Sequence, residues 1–204
     1  MLKKYFILVV FLLFSTTLFA AEESAYRFGV KGGLSSFSYS DTNGLEAETM
    51  GLSTIGLNIG GIFTYLLNDN INIITEVMYE NISLEYSGFD WNELIRKDFI
   101  FTFSYVTIPI GFHHRIINEN FFLGGGLYYS VNLRAKLKIE GEGRSDIKDA
   151  ARNDMGLFID FGWKPKANRN FSLSMRYKHG IDNILEDYAN MKIRQLGFNV
   201  AYHF

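Results

Sequence analysis

The last nine residues of the chain, Leu196-Gly-Phe-Asn-Val-Ala-Tyr-His-Phe204, alternate large apolar side chains with small or polar ones. A strand sends successive side chains to opposite faces, so Leu196, Phe198, Val200, Tyr202 and Phe204 share one face while Gly197, Asn199, Ala201 and His203 share the other. One face suits lipid and the other a narrow polar interior, the division that a sheet closed inside a membrane requires.

The same alternation recurs upstream. Reading for period two gives strands near 26–37, 54–66, 71–86, 99–115, 121–140, 155–165, 171–181 and 192–204. Short turns rich in Asn and Asp fall at Leu67–Asn70, Ile116–Asn120 and Lys166–Asn170. Long loops fall at Ser38–Ser53, Ser87–Asp98, Gly141–Asp154 and Asp182–Met191, in alternation with the turns. Long connections at one end and short ones at the other are the pattern of outer-membrane barrels. The expected fold is an all-β, eight-stranded antiparallel up-and-down transmembrane β-barrel. Counting from a periplasmic amino end, both barrel termini fall in the periplasm and the long loops are extracellular.

A signal peptide is expected over residues 1–21, followed by a barrel domain over 22–204. Lys3 and Lys4 precede an uncharged apolar run from Tyr5 to Leu13, and the small residues Ala20 and Ala21 follow. The apolar run is short of the roughly 20 residues a membrane helix needs. Removing Lys3 and Lys4 changes 20 basic and 22 acidic residues to 18 and 22, a formal charge of −4, which does not suggest a nucleic-acid partner. The chain has no cysteine, which excludes a lipoprotein anchor, disulfides and thiolate metal sites. Its 19 Gly, 19 Phe and 12 Tyr fit a barrel, with aromatics on the wall and glycine where a narrow interior is crowded.

The fifth strand shows the two faces most plainly. Phe121, Leu123, Gly125, Leu127, Tyr129, Val131, Leu133, Ala135, Leu137 and Ile139 read as the lipid face, with Phe122, Gly124, Gly126, Tyr128, Ser130, Asn132, Arg134, Lys136, Lys138 and Glu140 opposite. Strands three and four change phase. Val77 and Tyr79 alternate on one parity and Ile82, Leu84 and Tyr86 on the other, with a similar switch near Tyr105–Val106. A bulge is expected at each site. Projecting the polar parity inward predicts a lumen network of Arg27, Lys31, Glu76, Glu80, Arg134, Lys136, Asp160, Arg176 and Lys178. An eight-stranded barrel is only wide enough for side chains to fill it, so a packed polar plug is expected in preference to a pore.

Chemistry finds little support. His113, His114, His179 and His203 have no Gly-x-Ser-x-Gly companion, and adjacent His113 and His114 point to opposite faces. Gly32-Gly33, Gly60-Gly61 and Gly124-Gly125-Gly126 lie inside strand patterns and not in phosphate-binding loops. No catalytic, metal or cofactor residues are assigned. Phe89 and Trp91 in the second long loop are candidate extracellular contacts. Phe198, Tyr202 and Phe204 form the expected signal for the barrel-assembly machinery.

The chain resembles the PorT-like outer-membrane β-barrel proteins, small porin-family barrels. The resemblance lies in Phe28-Gly-Val-Lys-Gly-Gly-Leu34, Ile73-Ile-Thr-Glu-Val-Met-Tyr79, Val106-Thr-Ile-Pro-Ile-Gly111, Phe122-Leu-Gly-Gly-Gly-Leu-Tyr128 and Met175-Arg-Tyr-Lys-His-Gly-Ile-Asp-Asn-Ile184, and in the closing Leu196-Gly-Phe198 and Tyr202-His-Phe204. It implies an integral eight-stranded barrel with no shared catalytic residues. The expected function is a non-enzymatic structural or surface-binding role through extracellular loops, in the outer membrane of a Gram-negative (diderm) cell. The alternatives are a small-solute channel and a lipid-modifying barrel enzyme. The expected partners are outer-membrane lipid and lipopolysaccharide, with the assembly machinery during biogenesis. The surface partner is left open, and a monomer is expected.

Overall fold

The computed structural model describes residues 25–41, 55–90, 95–116, 120–139, 144–146, 153–182 and 191–204. The expected signal peptide (1–21), Trp91 and the centres of the long loops lie outside them. Nine strands follow in order: β1 (Tyr26–Asp41), β2 (Ile55–Leu66), β3 (Ile71–Asp90), β4 (Ile95–Ile116), β5 (Phe121–Ile139), β6 (Arg144–Asp146), β7 (Asp154–Trp163), β8 (Phe171–Gly180) and β9 (Met191–His203). All but β6 form one closed antiparallel barrel, each strand paired with its neighbours in sequence and β9 returning to β1. The closing seam runs from Gly29 opposite His203 to Asp41 opposite Met191, and the Phe204 N–H donates to the Phe28 carbonyl at 2.8 Å. β6 pairs with Lys136–Lys138 of β5, beyond the point where β7 stops pairing.

Local chemistry explains the short ends. The Asn68 side-chain oxygen accepts the N–H groups of Asn70 and Ile71 at 2.9 and 2.8 Å, an Asx turn that reverses the chain between β2 and β3. The Asn168 oxygen accepts the Asn170 N–H at 3.2 Å between β7 and β8. At the other end the β3–β4 hairpin is longer than the sequence pattern suggests. Pairing continues to Asp90 opposite Ile95, so Phe89 belongs to a strand and not to a loop.

Period two governs the wall. Along β7, Asp154, Gly156, Phe158, Asp160 and Gly162 are buried, and Met155, Leu157, Ile159, Phe161 and Trp163 are exposed outward. Inward glycines make room for lumen rings. A Cβ on Gly162 would overlap the Phe122 ring, and one on Gly124 would overlap the His113 ring. Large side chains on a narrow lumen therefore alternate with none.

Two expectations about register are corrected. β3 keeps one phase from Asn72 to Ile82, with Asn72, Ile74, Glu76, Met78, Glu80 and Ile82 all buried. β4 does the same, sending Phe103, Tyr105, Thr107, Pro109 and His113 inward. The apparent phase switch arises because the lumen is not polar along its whole length. Toward the long-loop end, Phe37, Ile82, Phe103, Tyr105, Ala135 and Ile193 form an apolar cluster inside the barrel. Apolar parity therefore marks lipid at one height and core at another. The β3–β4 ladder is interrupted between the Thr75–Ile110 and Met78–Thr107 pairs, where Pro109 has no N–H to give.

An irregularity does occur at Ser104–Tyr105, but the extra residue belongs to β5, the strand paired with β4 there. Pairing steps from Ser104 opposite Arg134 to Tyr105 opposite Asn132, leaving Leu133 as an extra residue. Beyond it the faces exchange. Ala135 is fully buried in the apolar cluster, whereas Arg134 and Lys138 are exposed and Lys136 half-buried. Removing Leu133 alone would leave Arg134 opposite Ser104 and Ala135 opposite Phe103, but Ala135→Asp would place an unpaired charge inside the apolar cluster. The expected loss of stability is roughly 3 kcal/mol or more, the scale of an unpaired buried charge. Urea unfolding of the refolded protein, followed by heat-modifiable gel migration, measures it.

Candidate functional site

The polar lumen below the apolar cluster is built from alternate residues of neighbouring strands. Arg176 on β8 is its centre. The guanidinium donates to both oxygens of Glu76 (Nη1–Oε2 2.7 Å, Nη2–Oε1 2.9 Å) and to both oxygens of Asp160 (Nε–Oδ1 and Nη2–Oδ2, each 2.6 Å). Glu76 also accepts from Lys31 Nζ at 2.8 Å, and Asp160 is 2.9 Å from His113 Nε2. Nearer the apolar cluster, Lys178 donates to Glu80 at 2.7 and 2.8 Å, and Glu80 accepts the Thr107 hydroxyl at 2.8 Å. The Thr107 and Ser130 hydroxyls are 2.8 Å apart. All of these groups are buried.

Charge balance permits this burial. Lys31, Arg176 and Lys178 face Glu76, Glu80 and Asp160, three cations against three carboxylates, and hydrogen bonds occupy most of their remaining donors and lone pairs. Aromatic faces complete the cage, with Arg176 4.3 Å from the Phe158 ring centre and Lys178 4.8 Å from that of Tyr128. Arginine suits the central position because its planar fork serves two carboxylates at once.

The sequence-predicted residues separate into three groups. Lys31, Glu76, Glu80, Asp160, Arg176 and Lys178 meet in the network. Arg27 stands apart at the short-turn mouth, lining a small cavity of about 40 Å³ with Arg115, Lys164, Lys166 and Arg169. Arg134 and Lys136 are corrected: the extra residue Leu133 turns them to the outer wall. His113, Thr107 and Ser130 are members that the charge projection missed, although inward parity on β4 and β5 was their available signal. Phe198, Tyr202 and Phe204 lie exposed on the outer wall. Phe89 pairs with Arg96 at the end of the β3–β4 hairpin, and Trp91 is outside the described residues.

Among the described residues, the network leaves little empty space beside it. One cavity beside His113 and His203 and another beside Glu76 and Arg176 each measure about 10 Å³, at or below what one water molecule occupies. Among the described residues no group of three or more His, Asp or Glu side chains is placed to hold a metal ion. His203 is engaged 3.2 Å from Thr64 Oγ1, and His114 is exposed.

A closed antiparallel barrel with an apolar outer wall and a charged interior is a transmembrane β-barrel. Residues 19–186 match the family model for the outer membrane protein beta-barrel domain, and the chain belongs to that family of outer-membrane proteins. Neisserial surface protein A is 18% identical, with a TM-score of 0.51 over 87% of this chain and 97% of that one. OprG of Pseudomonas aeruginosa is 16% identical, with a TM-score of 0.50 over 89% and 97%. Ail of Yersinia pestis is 18% identical, with a TM-score of 0.47 over 87% and 98%. No curated protein sequence matches the chain.

Two outcomes test the site. Arg176→Met leaves Glu76 and Asp160 without their shared cation. Urea unfolding of the refolded variant should show a loss of about 3–5 kcal/mol, whereas Arg176→Met combined with Asp160→Asn should recover part of it. At the mouth, burial and the neighbouring Arg115 and Arg27 lower Lys164, in the connection after β7, to about 8. Because its folded value lies below that of an ordinary lysine, this group's contribution to stability should rise as pH increases from about 8 to about 10. Comparing urea midpoints of the parent and Lys164→Met across that window isolates it.

Proposed function

We propose that the protein is a non-conducting, non-enzymatic barrel of the outer membrane that acts through its outer wall and extracellular loops. The observation that carries this reading is the packed lumen, where the cavities beside the Arg176-centred network measure about 10 Å³ each and an apolar cluster lies above them. A conducting path would require these ion pairs to break together. A catalytic reading has no support in the same groups, since His113 and Asp160 are both held by Arg176 and its neighbours and have no access to a lipid substrate.

In this reading both barrel termini face the periplasm, and the connections between β1 and β2, β3 and β4, β5 and β7, and β8 and β9 face outward. Phe198, Tyr202 and Phe204 serve the assembly machinery, and the assembled protein is a monomer in contact with lipopolysaccharide. Membership of the PorT-like branch is supported by the glycine-bearing segments of β1 and β5 and by Met175–Ile184. Planar-bilayer recording of the refolded monomer should give no reproducible conductance steps. Unitary steps that persist after repurification would refute the closed lumen.

A further inference from the structure

The outer wall changes character along one line on three adjacent strands. On β5 the outward residues Leu123, Leu127, Tyr129 and Leu133 lead directly to Arg134, Lys136 and Lys138. On β4 Ile110, Ile108 and Val106 lead to Ser104 and Thr102, and on β3 Ile73, Val77 and Tyr79 lead to Asn81 and Ser83. Cross-strand register sets Arg134 beside Ser104, Lys136 beside Thr102 and Lys138 beside Ile100. The Tyr79 hydroxyl donates to Ser104 Oγ at 3.3 Å on this line, an aromatic with its polar tip at the edge of the apolar band.

These residues line an open groove of about 530 Å³ on the outside of the barrel. It is amphipathic, with Leu133 and Ile100 beside three cations. The three cations occupy every second position of one strand, so their heads are spaced roughly 7 Å apart along one face. Among the described residues no carboxylate forms an ion pair with any of them. Asp146 of β6, opposite Lys136 in register, forms none. Excess positive charge that starts where the apolar wall stops matches a ligand with acyl chains and anionic groups just above them.

We propose that this groove binds the phosphorylated headgroup of an outer-leaflet lipid of the lipid A type. Phosphates lie along Arg134, Lys136 and Lys138, with Thr102 donating beside them and the acyl chains on Leu133, Val106 and the wall below. The Leu133 bulge creates the site, because regular pairing would turn the three cations into the barrel. The proposal rests on the reading of the long-loop end as the outward one.

The test is native mass spectrometry of the refolded protein released from phosphatidylcholine vesicles containing a small fraction of bis-phosphorylated lipid A. Retained lipid A should exceed its bulk share on the order of tenfold, as three surface cations each favouring the anion allow. Dephosphorylated lipid A should show no enrichment, and neither should the combined variant R134Q/K136Q/K138Q with the phosphorylated lipid. K166Q/R169Q, at the opposite end, should bind like the parent. Equal retention of dephosphorylated lipid A, unchanged retention by the triple variant, or full displacement by millimolar inorganic phosphate would each overturn the site. If the triple variant does not fold, R134K/K136R/K138R should retain binding, and the phosphate dependence of the parent still decides. Failure of the parent to give a heat-modifiable band in vesicles would instead sink the membrane reading on which the site rests.

Discussion

Backbone hydrogen bonding in a medium without water is the constraint on which this protein depends. An unpaired N–H or C=O facing hydrocarbon costs several kcal/mol, so a sheet can cross a membrane only if it has no edge. The ladder between β9 and β1, from Gly29–His203 to Asp41–Met191, removes the edge, and the Phe204 N–H completes it. Every other feature follows from closing so few strands.

Closure on eight strands leaves a bore that side chains fill, and the outer wall takes the large apolar ones. Polar groups are then forced inward at a depth where solvation is poor. Burying six charges is tolerable because each cation meets a carboxylate and Arg176 holds two of them at 2.6–2.9 Å. Gly124 and Gly162 belong to the same packing problem, since the rings of His113 and Phe122 occupy the space that their side chains would take. At the long-loop end the solution changes to the Phe37–Phe103–Tyr105 cluster, which fills the interior there with apolar groups and asks nothing of charge balance.

One inserted residue joins the interior to the surface. Leu133 opposite no partner lets Ala135 complete the apolar cluster and sets Arg134, Lys136 and Lys138 on the wall. A bulge of this kind costs a local interruption of pairing and gains independent control of the two faces above it. The same strand can therefore serve lipid along its lower half and present cations along its upper half.

The sequence alone determined the strand pattern, because alternation is a local property: Asp160 and Gly162 inward against Ile159 and Phe161 outward can be read without knowing any neighbour. It also determined where the three short turns fall, and the set Lys31, Glu76, Glu80, Asp160, Arg176 and Lys178 as inward residues, although the β3–β4 hairpin runs on to Asp90 and Ile95 where the pattern predicts a long loop. Parity failed where it no longer reported lipid. Ile82 and Tyr105 looked like register errors because their apolar environment is the inside of the barrel, and Arg134 and Lys136 looked like lumen charges because a single extra residue is invisible in a pattern of period two. Only the tertiary structure decided which charges meet, that His113 joins Asp160, and on which side the β5 cations emerge. Those outcomes depend on cross-strand register, fixed by pairing between segments as distant as Gly29 and His203, which brings together residues such as Arg176 and Glu76, 100 positions apart.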